Sequence, residues 1–310
     1  MRNHTKLSEF ILLGIPQTQG VEIVLFVFFL FIYLFTLVGN LLILIAILSS
    51  SALHTPMYFF LGLLAIFDII MPAVTCPKML FYLSGQSRAI SYEGCATQLF
   101  FYQFLGPTEG CLYTVMSYDR FVAICYPLRY SLIMRPEVCV GLVVGAWLLG
   151  CVHGSILTSF TFRLTYCGPN QVDFFFCDVP AVLSLACEDT SLAQTVSSAA
   201  VSFLGLLFWF TICFLYMHIG IAILRIRSTE GRKKAFSTCS AHLAAVLCYL
   251  GPILIIYLQP THNHLLDATV QIFTNIVSPM LNSLIFSLRN KEVKSSLKKA
   301  FHKVILLSRE

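Results

Sequence analysis

Runs of Leu, Ile, Val and Phe alternate with short polar segments along the whole chain, and seven runs reach the roughly 20 residues that cross a hydrocarbon core as a helix. They cover 23–48, 57–82, 95–126, 138–161, 196–224, 236–258 and 265–288. The pattern predicts an all-α membrane protein, a seven-transmembrane helix bundle spanning 23–289. An extracellular N-terminus (1–22) precedes it, and a cytoplasmic tail (290–310) follows with a short amphipathic helix. In that tail Val293, Leu297, Phe301 and Val304 recur at helical spacing with Lys294 and Lys298 off their face, which predicts a helix lying on anionic lipid. The longest piece outside the spans runs from about Arg163 to Thr195, and no internal repeat or Gly/Ser linker divides the chain.

Composition agrees with the pattern. The 310 residues are 57% hydrophobic and 11% charged, where a soluble domain carries about a quarter charged residues. Of 20 Lys and Arg, 15 fall on the side of the bundle that holds Arg120, Arg129, Arg135, the 225–234 cluster and the tail. That excess predicts the cytoplasmic side. It places the N-terminus outside, where the sequon at Asn3 is a glycosylation acceptor. No cleavable leader is evident before the first span, which is expected to act as the signal anchor.

Four of the 12 cysteines, Cys95, Cys167, Cys177 and Cys187, fall on the outer side, where oxidation is possible. Disulfides are the expected state, free thiols or a metal cluster the alternative; three pairings are open. Any bridge from Cys95 would pin the long loop across the mouth of the bundle.

On the third span, read as a helix, Tyr102, Glu109, Met116 and Arg120 fall within about 20° of one line, and Tyr113 lies nearby. A face carrying Glu109 and Arg120 belongs in the bundle interior. From Tyr102 to Arg120 it covers about 27 Å, nearly the hydrocarbon thickness. At mid-depth Glu109 is joined by Asp68 in the second span and Asn282 in the seventh. Two buried carboxylates share a proton or a cation, so the group is either a sodium or proton site or a hydrogen-bonded cluster that fixes packing. At the inner end, Asp119 beside Arg120 forms a pair suited to a switch, with snorkelling of Arg120 to headgroups as the plain alternative.

The blocks "GN" at 39–40, "LHTPMYFFL" at 53–61, "MSYDRFVAICYPLRY" at 116–130, "FFCDVPAVLSLAC" at 175–187, "KAFSTCSAHL" at 234–243 and "PMLNSLIFSLRN" at 279–290 resemble those of a rhodopsin-like G-protein-coupled receptor. Specifically, they resemble a vertebrate olfactory receptor of the tetrapod class, and "LYTVMSYDR" with "YCGPNQ" looks closest to the tenth family of these receptors. The resemblance implies that Arg120 with Asp119 forms the inner switch, and that Tyr216 and the motif at Asn282 rearrange with it. It implies a bridge from Cys95 to Cys177, with Cys167 to Cys187 as the second; a Cys95 to Cys187 pairing is the alternative. Two departures stand out. Phe121 follows Asp-Arg in place of Tyr, and the seventh-span pattern Asn-Pro-x-x-Tyr reads Asn282, Ser283, Leu284, Ile285, Phe286. The lost proline removes a source of helix kinking and the lost hydroxyl a hydrogen bond, which leaves a coupling-defective receptor as one alternative.

The resemblance places a small-molecule site in the outer half, with Tyr102, Gln103, Gly106, Val201, Leu204, Gly205, Ile253, Leu254, Tyr257 and Asn275 as candidates. Plain helix packing is the competing role for each. Most are apolar, and no carboxylate stands at the outer end of the stripe, which favours a small, volatile, mostly apolar odorant over an ion-paired amine. The implied partners are that odorant, a heterotrimeric G protein of the stimulatory, olfactory class that raises cyclic AMP, and the bilayer; no nucleic acid is expected. No cofactor is expected beyond sodium at Asp68 and Glu109. An enzyme is not expected: no H-E-x-x-H or G-x-S-x-G motif occurs, and 265–288 has no Lys for a retinal Schiff base. The rival class is an ion or proton channel or transporter using Asp68 and Glu109, against which stands the absence of an internal repeat.

Overall fold

The computed structural model describes residues 7–15, 20–167, 169–257, 264–289 and 292–298. Seven long helices build it: α1 (Glu22–Ser49), α2 (Pro56–Leu83), α3 (Tyr92–Cys125), α4 (Pro136–Phe162), α5 (Ser191–Arg225), α6 (Thr229–Tyr257) and α7 (His264–Arg289). Their starts are encoded locally. Pro56 and Pro136 occupy first-turn positions, where the missing N–H has no partner to lose. The Ser91 hydroxyl caps α3 by accepting from the Gly94 N–H at 3.0 Å. Six of these helices are long and apolar enough to cross a membrane by length and composition. The exception is α3, which is diluted by Gln98, Gln103, Glu109, Asp119 and Arg120 and packs centrally against α2, α4 and α5. Large apolar side chains on α1, α4 and α5, such as Phe31, Leu148 and Phe210, point outward, as lipid-facing helix surfaces do.

Close helix contacts depend on residues without side chains. A Cβ on Gly39 would lie 2.5 Å from the Ser283 hydroxyl, so only glycine lets α1 and α7 meet there. Beside it, the Asn40 amide donates to the Thr36 carbonyl at 3.0 Å and to the Pro279 carbonyl at 3.4 Å. Pro279 also shapes α7. It has no N–H to offer the Asn275 carbonyl, and the preceding turn, Phe273–Val277, widens into a π-helix closed by a bond from the Ser278 N–H to the Phe273 carbonyl. The sequence motif suggests that α7 loses its irregularity with the proline at position 283. The irregularity lies one turn earlier instead.

A small sheet joins the helices, which an all-helical expectation omits. Strand β1 (Glu9–Leu12) lies between β2 (Ala89–Ser91), antiparallel, and β3 (Gln171–Val172), parallel. Alternation turns Phe10 and Leu12 inward and fully buries them, with the Phe10 ring edge-on to Tyr166 at 5.7 Å. The segment before α1 is therefore docked on the bundle. The loop between α4 and α5 is tied down by disulfides Cys95–Cys177 and Cys167–Cys187, with Cα separations of 5.5 and 5.9 Å. The buried rings of Phe174, Phe175 and Phe176 pack beneath it. We call this the disulfide end.

The tail differs from expectation. Residues 292–298 are helical, and within them Val293 is fully buried and Leu297 packs on the helical core, so these two residues of the apolar face meet protein. The Tyr58 hydroxyl donates to Glu292 at 2.6 Å and fixes the start of this helix to α2. Phe301, Val304 and the Asn3 sequon lie outside the described residues.

Candidate functional site

Beneath the disulfide-held loop lies a cavity of about 480 Å³, walled by α3 to α7. Tyr102, Gln103 and Gly106 line it from α3, Val201, Leu204 and Gly205 from α5, Ile253 and Leu254 from α6, and Asn275 from the π-helical turn of α7. Tyr257 ends α6, and its side chain lies outside those described. The polar members are cross-linked: the Tyr102 hydroxyl donates to Gln271 Oε1 at 2.7 Å, and Asn275 donates to the same oxygen at 3.1 Å. The first of these bonds joins α3 to α7 across the cavity.

Sequence reasoning missed two titratable lining residues, Asp178 and His153. Asp178 caps a short helical turn, Val179–Leu183, accepting from the Val179 N–H at 2.8 Å and from Gln103 Nε2 at 3.4 Å. Burial pushes its carboxyl up to about 6; the Val179 N–H opposes this and the nearby Asp267 charge adds to it. The absence of a carboxylate near Tyr102 in the sequence is thus misleading, since one arrives from the loop through the Cys177 bridge. His153 reaches α3 because α4 approaches it closely. A Cβ on Gly150 would stand 2.6 Å from the Phe104 carbonyl, and one on Gly154 would stand 3.0 Å from the Phe100 carbonyl. His153 Nδ1 lies 2.9 Å from the Gln103 carbonyl. A signal for it was legible: Pro107 removes the N–H that would serve that carbonyl, so some other donor had to.

Below the cavity, Asp68, Glu109, Tyr113 and Asn282 are all buried. Asn282 Nδ2 faces both Asp68 oxygens at 3.1 and 3.2 Å and the Tyr113 hydroxyl at 2.7 Å, and that hydroxyl bonds Glu109. Asn282 Oδ1 has no hydrogen-bond partner among the described residues. Neither Asp68 nor Glu109 belongs to the cavity lining. The Tyr249 hydroxyl donates to the Gly106 carbonyl at 2.7 Å, and its ring lies 4.8 Å from that of Tyr113, tilted by 34°, linking the cavity floor to this cluster.

About 10 Å further along α3, Asp119 is fully buried and accepts from Arg120 Nη2 at 2.6 Å, from Arg120 Nε at 3.1 Å and from the Tyr130 hydroxyl at 2.6 Å. Burial and the Asp119 carboxylate push the Tyr130 hydroxyl above its usual range. Tyr216 of α5 lies 2.5 Å from His242 Nδ1 of α6. Met116, fully buried, fills the α3 face between the two polar levels. Asn282 is bonded at mid-depth and not to this pair, and Phe286, where the receptor pattern has a tyrosine, is buried in the core.

A seven-helix bundle with a disulfide-capped cavity at one end and a buried Asp paired with a half-buried Arg at the other is a membrane receptor of the G-protein-coupled type. The family model described as olfactory receptor matches residues 29–304. The chain is 69% identical to olfactory receptor 10N1 of Mus musculus over 304 residues, covering 98% of both chains. It is 61% identical to olfactory receptor 10D3 of Homo sapiens, covering 98% of this chain and 97% of that one. It is 46% identical to olfactory receptor 10G4 of Homo sapiens over 98% of each. The chain belongs to the olfactory receptor family, within its family 10. It is a multi-pass plasma membrane protein and a receptor, not an enzyme.

Proposed function

We propose that the chain is an odorant receptor which binds small, mostly apolar volatiles in the cavity beneath the Cys95–Cys177 loop and activates a stimulatory, olfactory-type G protein to raise cyclic AMP. The observation that carries this reading is one continuous face of α3. Tyr102 and Gly106 line the cavity, Glu109 and Tyr113 sit in the buried cluster, and Arg120 lies on the same line near the other end of the helix, beside Asp119. A ligand acts only by binding one arrangement of these contacts better than another. The Tyr249 bond to the Gly106 carbonyl ties α6 to that face at the cavity floor. In this structure Asp119 holds Arg120, and activation releases Arg120 toward the G protein.

Two finer features accompany the proposal. The disulfide end faces outward and the Arg-rich end faces the cytoplasm, supported by the distribution of Lys and Arg. Sodium is held at mid-depth: a hard cation takes oxygen ligands, and the Asp68 carboxylate, Glu109 and the unpartnered Asn282 Oδ1 form a suitable oxygen set. The receptor reading is tested by cyclic AMP in cells carrying the full chain and an olfactory-type G protein, over a volatile panel, with surface staining and Arg120→Ala. A ligand-dependent rise that disappears in the variant at equal surface level is the expected result. A rise that survives in the variant refutes the switch.

A further inference from the structure

With the cavity taken as the odorant site, His153 narrows the chemistry of the ligand, an inference that rests on the receptor reading proposed above. His153 is 6% exposed, on α4, and forms part of the cavity wall. Its Nδ1 faces the Gln103 carbonyl at 2.9 Å. A carbonyl oxygen only accepts, and its helical donor is missing because residue 107 is proline, so Nδ1 must carry a hydrogen. In the neutral ring this fixes Nε2 as a bare lone pair. Nε2 is buried and has no partner among the described residues. An acceptor in that position is incomplete until a donor reaches it.

Four donors that line the cavity are engaged elsewhere. The Tyr102 and Asn275 donors go to Gln271, the Gln103 amide to Asp178 and the Tyr249 hydroxyl to the Gly106 carbonyl. Thr274 Oγ1 of α7 also lines the cavity without a partner among the described residues, but a hydroxyl can donate as well as accept, whereas the ring nitrogen can only accept. We propose that His153 Nε2 is the recognition point for a ligand hydroxyl, and that this receptor selects alcohols and phenols over ethers and ketones of the same skeleton. An ether or ketone of equal size fills the same apolar space but brings only acceptors, and it leaves Nε2 buried and unpaired. Asymmetry of this kind discriminates strongly because the group left unpaired belongs to the protein.

The test uses the full-length receptor and a panel of alcohols and alkylphenols of about eight to ten carbons, a size suited to a pocket of this volume. Each is matched with its methyl ether, its ketone or deoxy analogue, and its primary amine. Two readouts run in parallel: cyclic AMP in cells, and ligand-induced thermal shift of the purified receptor, which reports occupancy without coupling. Alcohols are expected to act at concentrations about tenfold below their ethers, the factor that a difference of one hydrogen bond sets. His153→Phe is expected to erase that preference while ethers still bind. His153→Gln, whose amide keeps both a donor for the Gln103 carbonyl and an acceptor for the ligand, is expected to restore it.

Ethers or ketones equal to alcohols at the wild-type receptor overturn the inference, and that comparison needs no variant to fold. A preference unchanged in His153→Phe, or lost only in Thr274→Val, overturns it as well, and an amine that outcompetes its alcohol moves recognition to Asp178. Occupancy with the predicted preference but no cyclic AMP upholds the inference and refutes the coupling reading. Binding of no panel member refutes both.

Discussion

Replacing Gly150 by alanine adds one methyl group where the bundle has no room. The new Cβ would stand 2.1 Å from Thr108 Oγ1 and 2.6 Å from the Phe104 carbonyl. Ordinary contact begins near 3.4 Å, so α4 must retreat by about 0.8 Å from the carbonyl and by about 1.3 Å from the Thr108 hydroxyl, the differences from that limit. Thr108 cannot simply turn away, because its hydroxyl is buried and bonded to that same carbonyl at 2.7 Å. Overpacking of this kind costs about 1–3 kcal/mol. His153 follows Gly150 by about one turn and moves with it, stretching its 2.9 Å bond to the Gln103 carbonyl beyond 3.5 Å and forfeiting about 1 kcal/mol more. The variant should lose about 2–4 kcal/mol in total. The assay is thermal unfolding of the purified receptor beside Gly141→Ala on the same helix, where nothing lies within 4 Å of the added Cβ. Gly141→Ala should fall within about 0.5 kcal/mol of wild type. If the two variants melt alike, the account of the α3–α4 contact is wrong.

The remaining contacts yield further expected outcomes. Asp119→Asn combined with Tyr130→Phe should raise cyclic AMP without ligand by freeing Arg120; unchanged basal signal at equal surface level would refute a restraining role for the pair. Asp68→Asn should abolish any difference in melting temperature between sodium and a bulky organic cation, and a wild-type receptor indifferent to sodium would remove the proposed site. Asp178 has a folded pKa near 6, above its ordinary 3.8. The folded state therefore holds its proton more tightly, and stability from this group rises as pH falls through about 6 and is complete below about 4. Asp178→Asn should flatten melting temperature against pH in that window, and an unaltered slope would exclude Asp178 as its source.

Several features are legible in the sequence alone. Length and hydropathy locate the helices to within a few residues at most ends, because a bilayer admits few alternatives to a continuous helix. Spacing placed Tyr102, Glu109 and Arg120 on one face, since helical geometry is local. The docked strand at Phe10 was not legible. Four residues of alternation are too short a signal, and partners at 89–91 and 171–172 are remote in sequence. The tail helix could be recognised by its period, but not the surface it meets, because both lipid and the α1–α2–α7 core are apolar.

The chain by itself therefore determined what each helix is made of: which segments enter the membrane, which face of α3 carries polar groups, and that Pro107 and Pro279 leave carbonyls without their helical donors. Only the tertiary structure decided what those groups meet. His153 serves Gln103 across the Gly150 and Gly154 contact, Asp178 enters the cavity from a loop held to α3 by Cys177, and Asn282 joins Asp68 rather than Arg120. The reason is physical: helix formation and membrane entry depend on neighbours a few residues apart, whereas the partner of a buried polar group is set by how closely and in what rotation separate helices pack.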